Sequence, residues 1–193
     1  MKRLILATLF IGVSLCPGAT IIQNTLGTGT GSAGIFGQSF TTPDLGPWTE
    51  LTFNFFSDVL GTTPSAAGTA FLLSQIYTGT PAALSGAIPG FLAASTGTMD
   101  GKYVFETSVQ ILANTQYFIY ANAIVSVTGG NQLPGDSAYF APDANSNFIA
   151  AGASANFNLS GTAASVPEPT SVGLALMGLG AMAMIANRRR TTH

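Results

Sequence analysis

The chain has 193 residues, of which 47% are hydrophobic and only 7% charged, with a formal net charge of −2, one cysteine and one histidine. So few basic residues leave no stripe that could follow a nucleic-acid backbone, and nucleic-acid binding is excluded. One His and one Cys cannot furnish a structural zinc site or a disulfide framework, so neither a metal nor a cofactor is expected.

The opening MKRLILATLFIGVSLCPGAT sets Lys2 and Arg3 before an apolar run over residues 4–15, followed by the small Gly18 and Ala19. That is the layout of a secretory signal peptide, read here as residues 1–19 with signal peptidase cutting near Ala19. The run is short for a permanent bilayer span. Cys16 follows the bulky Leu15 and precedes Pro17, which argues against a lipid-attachment cysteine. Once the signal is cut the chain holds no thiol, and its stability must come from packing.

Residues 20–162 read as one all-β domain, an antiparallel β-sandwich or jelly roll. Short alternating runs recur between Gly, Pro, Asn and Thr clusters, and helical periodicity is missing. In WTELTFNFF, Leu51, Phe53 and Phe55 fall on one face and Glu50, Thr52 and Asn54 on the other. KYVFETSVQI sets Tyr103, Phe105, Thr107 and Val109 opposite Lys102, Val104, Glu106 and Ser108. IFGQSFTT, GTAFLLSQIY, TQYFIYANAIV and ANFNLS read as further strands; LGTTPSAAG and TGGNQLPGDS read as loops. All the aromatics except Phe10 lie in this domain, ample for a β core.

Catalytic chemistry finds little to work with. The only histidine, His193, lies beyond the basic cluster at 188–190, so the exported domain has no base for a serine nucleophile. Seven acids remain in the domain (Asp44, Glu50, Asp58, Asp100, Glu106, Asp136, Asp143) against the single base Lys102. A carboxylate-based glycoside hydrolase needs two of them at a fixed separation, with Asp100 and Glu106 as an example pair. DANSN, with Asp143, Asn145 and Asn147, starts like a calcium loop but continues with Phe148 where Gly is needed and Ser154 where the bidentate acid belongs, so a polar turn is expected. GTGTGSAG lacks the Lys and helix of a phosphate loop and reads as a flexible or turn-rich segment. TGT recurs at Thr28, Thr78 and Thr96; its central Gly favours turns over a strand-borne threonine ladder. Trp48, Tyr77, Tyr120 and Tyr139 are the candidates for stacking on sugar rings, with core packing as the alternative for each.

Residues 163–170, AASVPEPT, form a linker of small residues and prolines. Residues 171–187 follow as an apolar helix expected to cross a membrane. Arg188, Arg189 and Arg190 then act as the stop-transfer cluster in a cytoplasmic tail, residues 188–193. Its strong apolar residues, Val172, Leu174, Leu176, Leu179 and Ile185, contribute only about 0.3–0.6 kcal/mol each to insertion. The anchor should be a weak one. Both basic clusters stay cytoplasmic by the positive-inside rule, which puts residues between them on the far side.

Val166-Pro167-Glu168-Pro169, the apolar helix and the arginine cluster, in that order and behind a signal peptide, resemble a PEP-CTERM sorting signal. The resemblance implies that the chain is held in the inner membrane with its domain in the periplasm. An exosortase then recognises residues 166–169 and removes the helix, and the protein passes to the cell surface or the medium. It implies signal peptidase and exosortase as processing partners, and an exopolysaccharide matrix as the setting. On this reading the chain is a noncatalytic structural or interaction protein; a carbohydrate-binding module and a carboxylate glycosidase are the alternatives. The prolines lack N–H donors and fix φ, which keeps the recognition segment out of helix and sheet.

Overall fold

WTELTFNFF is a single strand over Trp48–Phe56, with Leu51, Phe53 and Phe55 turned into the core and at most 1% exposed. The computed structural model that shows this describes residues 18–27 and 29–164; residues 1–17 of the signal peptide with Cys16, Thr28, residues 166–169, the apolar run, the arginine cluster and His193 lie outside the described residues.

Among the described residues thirteen strands follow in chain order: β1 (Ala19–Asn24), β2 (Gly31–Thr41), β3 (Trp48–Phe56), β4 (Pro64–Ser65), β5 (Ala70–Leu73), β6 (Phe91–Ala94), β7 (Gly97–Met99), β8 (Lys102–Val104), β9 (Gln116–Ala121), β10 (Val125–Thr128), β11 (Ala138–Ala141), β12 (Ile149–Ala150) and β13 (Phe157–Ala163). They form two antiparallel sheets. One runs β1-β13-β3-β8-β7 with β4 on β3, the other β12-β11-β2-β9-β5-β6 with β10 on β2.

Alternation buries one face of each sheet against the other, and aromatic rings fill the gap. Phe40 of β2 lies 6.5 Å from Phe157 of β13, Phe36 lies 6.3 Å from Phe55, and Phe53 stacks on Phe157 at 5.6 Å. Each such pair adds about 0.5–1.5 kcal/mol beyond the burial of its area. The sheets are also stitched along one side. Gly130 donates its N–H to Ser154 O, and Asn156 donates to Thr128 O, both at 2.8 Å, so the end of β10 pairs with the chain entering β13.

The seven-stranded sheet is covered on its outer face as well. Ile35, Phe71, Phe118, Tyr120, Tyr139 and Phe148 form a second cluster there. Residues 74–90 fold over it, tied by Tyr77 N–H to the Tyr120 hydroxyl (3.1 Å), Ala82 N–H to Ala144 O (2.9 Å) and Phe148 N–H to Gly79 O (3.1 Å). Burial on both faces accounts for the unbroken apolar runs AFLL and QYFIYA.

Three expected elements differ. KYVFETSVQI is not one strand: β8 stops at Val104, a turn closes where Val109 N–H meets Glu106 O (3.0 Å), and Ile111 then bridges Trp48. TQYFIYANAIV breaks at residues 122–124, where the Asn122 side chain accepts the N–H of Thr69 at 2.8 Å and draws the chain aside before β10 resumes on β2. GTGTGSAG is not all turn, since residues 31–34 open β2. Gly34 is needed there, because a Cβ would lie 2.3 Å from the Phe140 ring.

Antiparallel pairing of β1 with β13 sets Ala19 opposite Gly161. Both ends of the described chain therefore emerge at one end of the sandwich, where the N–H of Ala164 is held by Pro47 O at 2.8 Å.

Candidate functional site

Three of the four candidate stacking residues are buried. Trp48 is 6%, Tyr139 7% and Tyr120 0% exposed, and only Tyr77 is half-buried. Trp48 belongs to the core between the sheets, and its indole N–H has no partner. Tyr77, Tyr120 and Tyr139 are brought together, but against one another: Tyr120 lies 6.0 Å from Tyr77, 5.6 Å from Tyr139 and 4.7 Å from Phe148. Burial raises the pKa of all three hydroxyls, with Asp136 adding to the effect at Tyr139. As folded, these rings turn their faces to neighbouring side chains, and no open row of aromatics forms from them.

The carboxylates are engaged locally. Asp143 accepts the N–H groups of Asn145 and Ser146, both at 2.8 Å, and the Ser146 hydroxyl at 3.1 Å. Those bonds hold its carboxyl below the usual range, the Asn145 N–H contributing most. DANSN is thus a turn closed on its own aspartate. Asp136 is buried and clasps two strands, taking the Thr41 N–H (3.2 Å), the Thr41 hydroxyl (3.3 Å) and the Gln116 amide (3.2 Å). Asp100 sits in the β7–β8 hairpin, where it and Gly101 have φ of 52° and 72°, a two-residue turn of the type that favours Asp-Gly. Glu106 lies beyond the far end of β8, in the turn that its carbonyl closes with Val109 N–H, so the two acids of the example pair sit at opposite ends of that strand. Of the TGT runs, Thr78 and Thr80 lie in the covering segment, and Thr96 precedes the edge strand β7, which carries Thr98.

The surface that the strands build most regularly is the outer face of the six-stranded sheet. Phe157 and Leu159 point inward on β13, so Asn158 and Ser160 point out. Thr52 does the same on β3. Register places Thr20, Ser160 and Thr52 side by side across β1, β13 and β3, with Gln23 beside Asn158 in the next row, where the third member, Asn54, is buried. Neighbours across strands stand about 4.8 Å apart and rows along a strand about 7 Å. Asn158 donates its amide to the Ser160 hydroxyl at 2.8 Å, which fixes both. On β8 Tyr103 points inward, so Val104 beside Thr52 and Lys102 share this face, and the Thr162 hydroxyl donates to Glu50 at 2.7 Å. The result is a grid of hydroxyls and amides over β1, β13 and β3, able to exchange hydrogen bonds with a neutral polar polymer. The sequence reading of β3 already turned Thr52 outward; the alternation in FNLS carried the same signal for Asn158 and Ser160.

An apolar groove of about 360 Å³ opens where β11 leaves β2, lined by Ser32, Phe36, Phe140, Ile149, Ala150 and Ala151. None of these side chains titrates in the physiological range, so the groove offers contact area without acid–base chemistry.

The chain can be set beside known proteins through its linker and tail alone. No curated protein and no solved structure matches the chain. Residues 165–190 match the PEP-CTERM protein-sorting motif, a match that begins two positions after β13 ends at Ala163. The chain therefore carries a PEP-CTERM protein-sorting motif directly behind an all-β domain, which implies export to the cell surface with sorting by an exosortase.

Proposed function

We propose that this protein is a noncatalytic structural or interaction component of the bacterial surface or extracellular matrix. Its domain is exported behind the signal at 1–19 and held in the periplasm by residues 171–187, with Arg188, Arg189 and Arg190 in the cytoplasm. It is freed when exosortase acts at Val166, Pro167, Glu168 and Pro169. The sorting motif at 165–190 carries this reading, and its position immediately behind the last strand suits a domain meant to be released whole. Changing Pro167, Glu168 and Pro169 together to Ala in the producing bacterium should leave the full-length chain in the inner membrane. Unchanged release would sink the reading.

A second reading, carbohydrate binding, is favoured by one observation: the uncharged grid of Thr20, Gln23, Thr52, Asn158 and Ser160. Neutral polysaccharide presents hydroxyls at comparable repeats, and such a grid can meet it without burying a charge. Retention of the domain in gels containing neutral polysaccharide tests this directly.

A further inference from the structure

Both ends of the described chain leave the sandwich at one end, and that end is apolar at its tip. Ala19 pairs with Gly161, and Ala164 is fastened to Pro47 O at 2.8 Å, so β1 and β13 point their outer ends the same way. Two loops crown this end. Residues 42–47 connect β2 to β3, and residues 112–115 lead into β9; they are tied by the Thr42 hydroxyl to Leu112 O (2.6 Å) and by Asn114 N–H to Pro43 O (3.0 Å). Each loop lifts one large apolar side chain into solvent, Leu45 at 68% and Leu112 at 54% exposure. Asp44 is the only charged residue in either loop.

From Ala164 to Ser171 is seven residues, which fully extended span at most about 25 Å. The polar headgroup layer takes up about 5–7 Å of that. The opposite end of the sandwich, where Leu26 and Leu60 are exposed, lies the length of β2 away, roughly 35 Å. A tether shorter than the domain thus keeps the Leu45 and Leu112 end, and not the Leu26 and Leu60 end, facing the bilayer for as long as residues 171–187 stay anchored.

We infer that this end of the sandwich is a membrane-contact surface, with Leu45 and Leu112 entering the lipid headgroup region and standing the domain upright until its tail is cut. The partner is the lipid surface itself, and the contact rests on the anchored-tail reading given above. Apolar side chains on adjacent loop tips suit an interface that is polar on one side and apolar on the other. Two leucines bury too little area to hold the domain alone, so the contact is lost once the tail is removed.

The test uses the processed chain from Thr20 to His193, which has no cysteine. Single Leu45→Cys, Leu112→Cys and Leu60→Cys variants carry a fluorophore in phosphatidylcholine vesicles containing a headgroup nitroxide lipid. The labelled chains should float with the vesicles, and quenching at 45 and 112 should exceed that at 60 at least threefold. Flotation with equal quenching at all three sites, or stronger quenching at 60, overturns the contact and leaves the anchor standing. Failure to float overturns the anchored-tail reading and the contact together.

Discussion

The buried side chain of Gln38 accepts the backbone N–H of Ala155 at 2.8 Å, so a residue of β2 in one sheet holds the chain that is about to enter β13 in the other. The Ala155 carbonyl is taken by Asn24 of β1, also at 2.8 Å, so both backbone groups of Ala155 are satisfied by side-chain amides. Gln38 is completely buried, and its own amide donates to Ser39 O at 2.7 Å. Gln38→Leu keeps the volume but strands a buried N–H. It should cost about 1–3 kcal/mol in urea unfolding, with an unchanged m-value. A cost below about 0.5 kcal/mol would mean that water replaces the glutamine.

Gly37 is required by the outer aromatic cluster. It pairs with Tyr120 on one side and Tyr139 on the other, and a Cβ there would lie 2.2 Å from the Tyr120 ring. Tyr120 is fully buried and cannot swing away without disturbing Phe148 and the covering segment. Gly37→Ala should therefore cost about 1–3 kcal/mol through overpacking. Gly97→Ala on the edge strand β7, where a Cβ would meet nothing within 4 Å, is the control. It should be neutral or slightly stabilising. Equal melting shifts for the two variants would refute the packing account.

Alkali should unfold the domain through its buried tyrosines. The Tyr103 hydroxyl donates to Ala67 O at 2.8 Å and accepts the Ala67 N–H at 3.0 Å. Burial pushes its pKa from 10.0 up to about 12. The folded state thus keeps a proton that the unfolded chain gives up. Stability from this group is fully present below pH 10 and is lost as pH rises from 10 to 12, by about 2–3 kcal/mol. Tyr120, raised by its own burial, acts in the same direction. Tyr103→Phe should flatten this decline while lowering stability at neutral pH by about 1 kcal/mol. Chemical denaturation at a series of pH values checks both parts.

What the sequence made legible was local. Alternation in WTELTFNFF gave β3 its bounds and its inward face, because period-2 burial needs no knowledge of the partner. The Pro-Glu-Pro segment was readable for the same reason, being a linear motif whose order of parts is its whole content. Long-range coverage was not legible. Tyr120 and Tyr139 do lie on the face turned away from the main core, where a stacking platform could form, yet residues 74–90 fold over them from far along the chain. The strand run in KYVFETSVQI failed where Glu106 and Val109 close a turn, which nothing in the alternation announced. The end holding Leu45 and Leu112 emerges only once Ala19 is known to pair with Gly161.

The hydroxyl and amide grid can be tested without threatening the fold. Thr52 and Ser160 are directly paired, point away from the core and are partly exposed, so charging them removes no core contact. Thr52→Glu with Ser160→Glu puts two like charges about 5 Å apart across neighbouring strands, which should cost about 1 kcal/mol of stability and no more. Against a neutral polysaccharide the same change obliges each carboxylate to shed water on contact, so retention in an affinity gel should fall at least tenfold. Thr52→Ser with Ser160→Thr keeps every hydroxyl and should retain the parental mobility. If the glutamate variant migrates as the parent does while the parent is retarded, the polymer meets another surface, and the groove beside Phe140 becomes the place to look. A parent that no neutral polysaccharide retards would remove the carbohydrate reading and leave the structural or interaction role as the proposal standing.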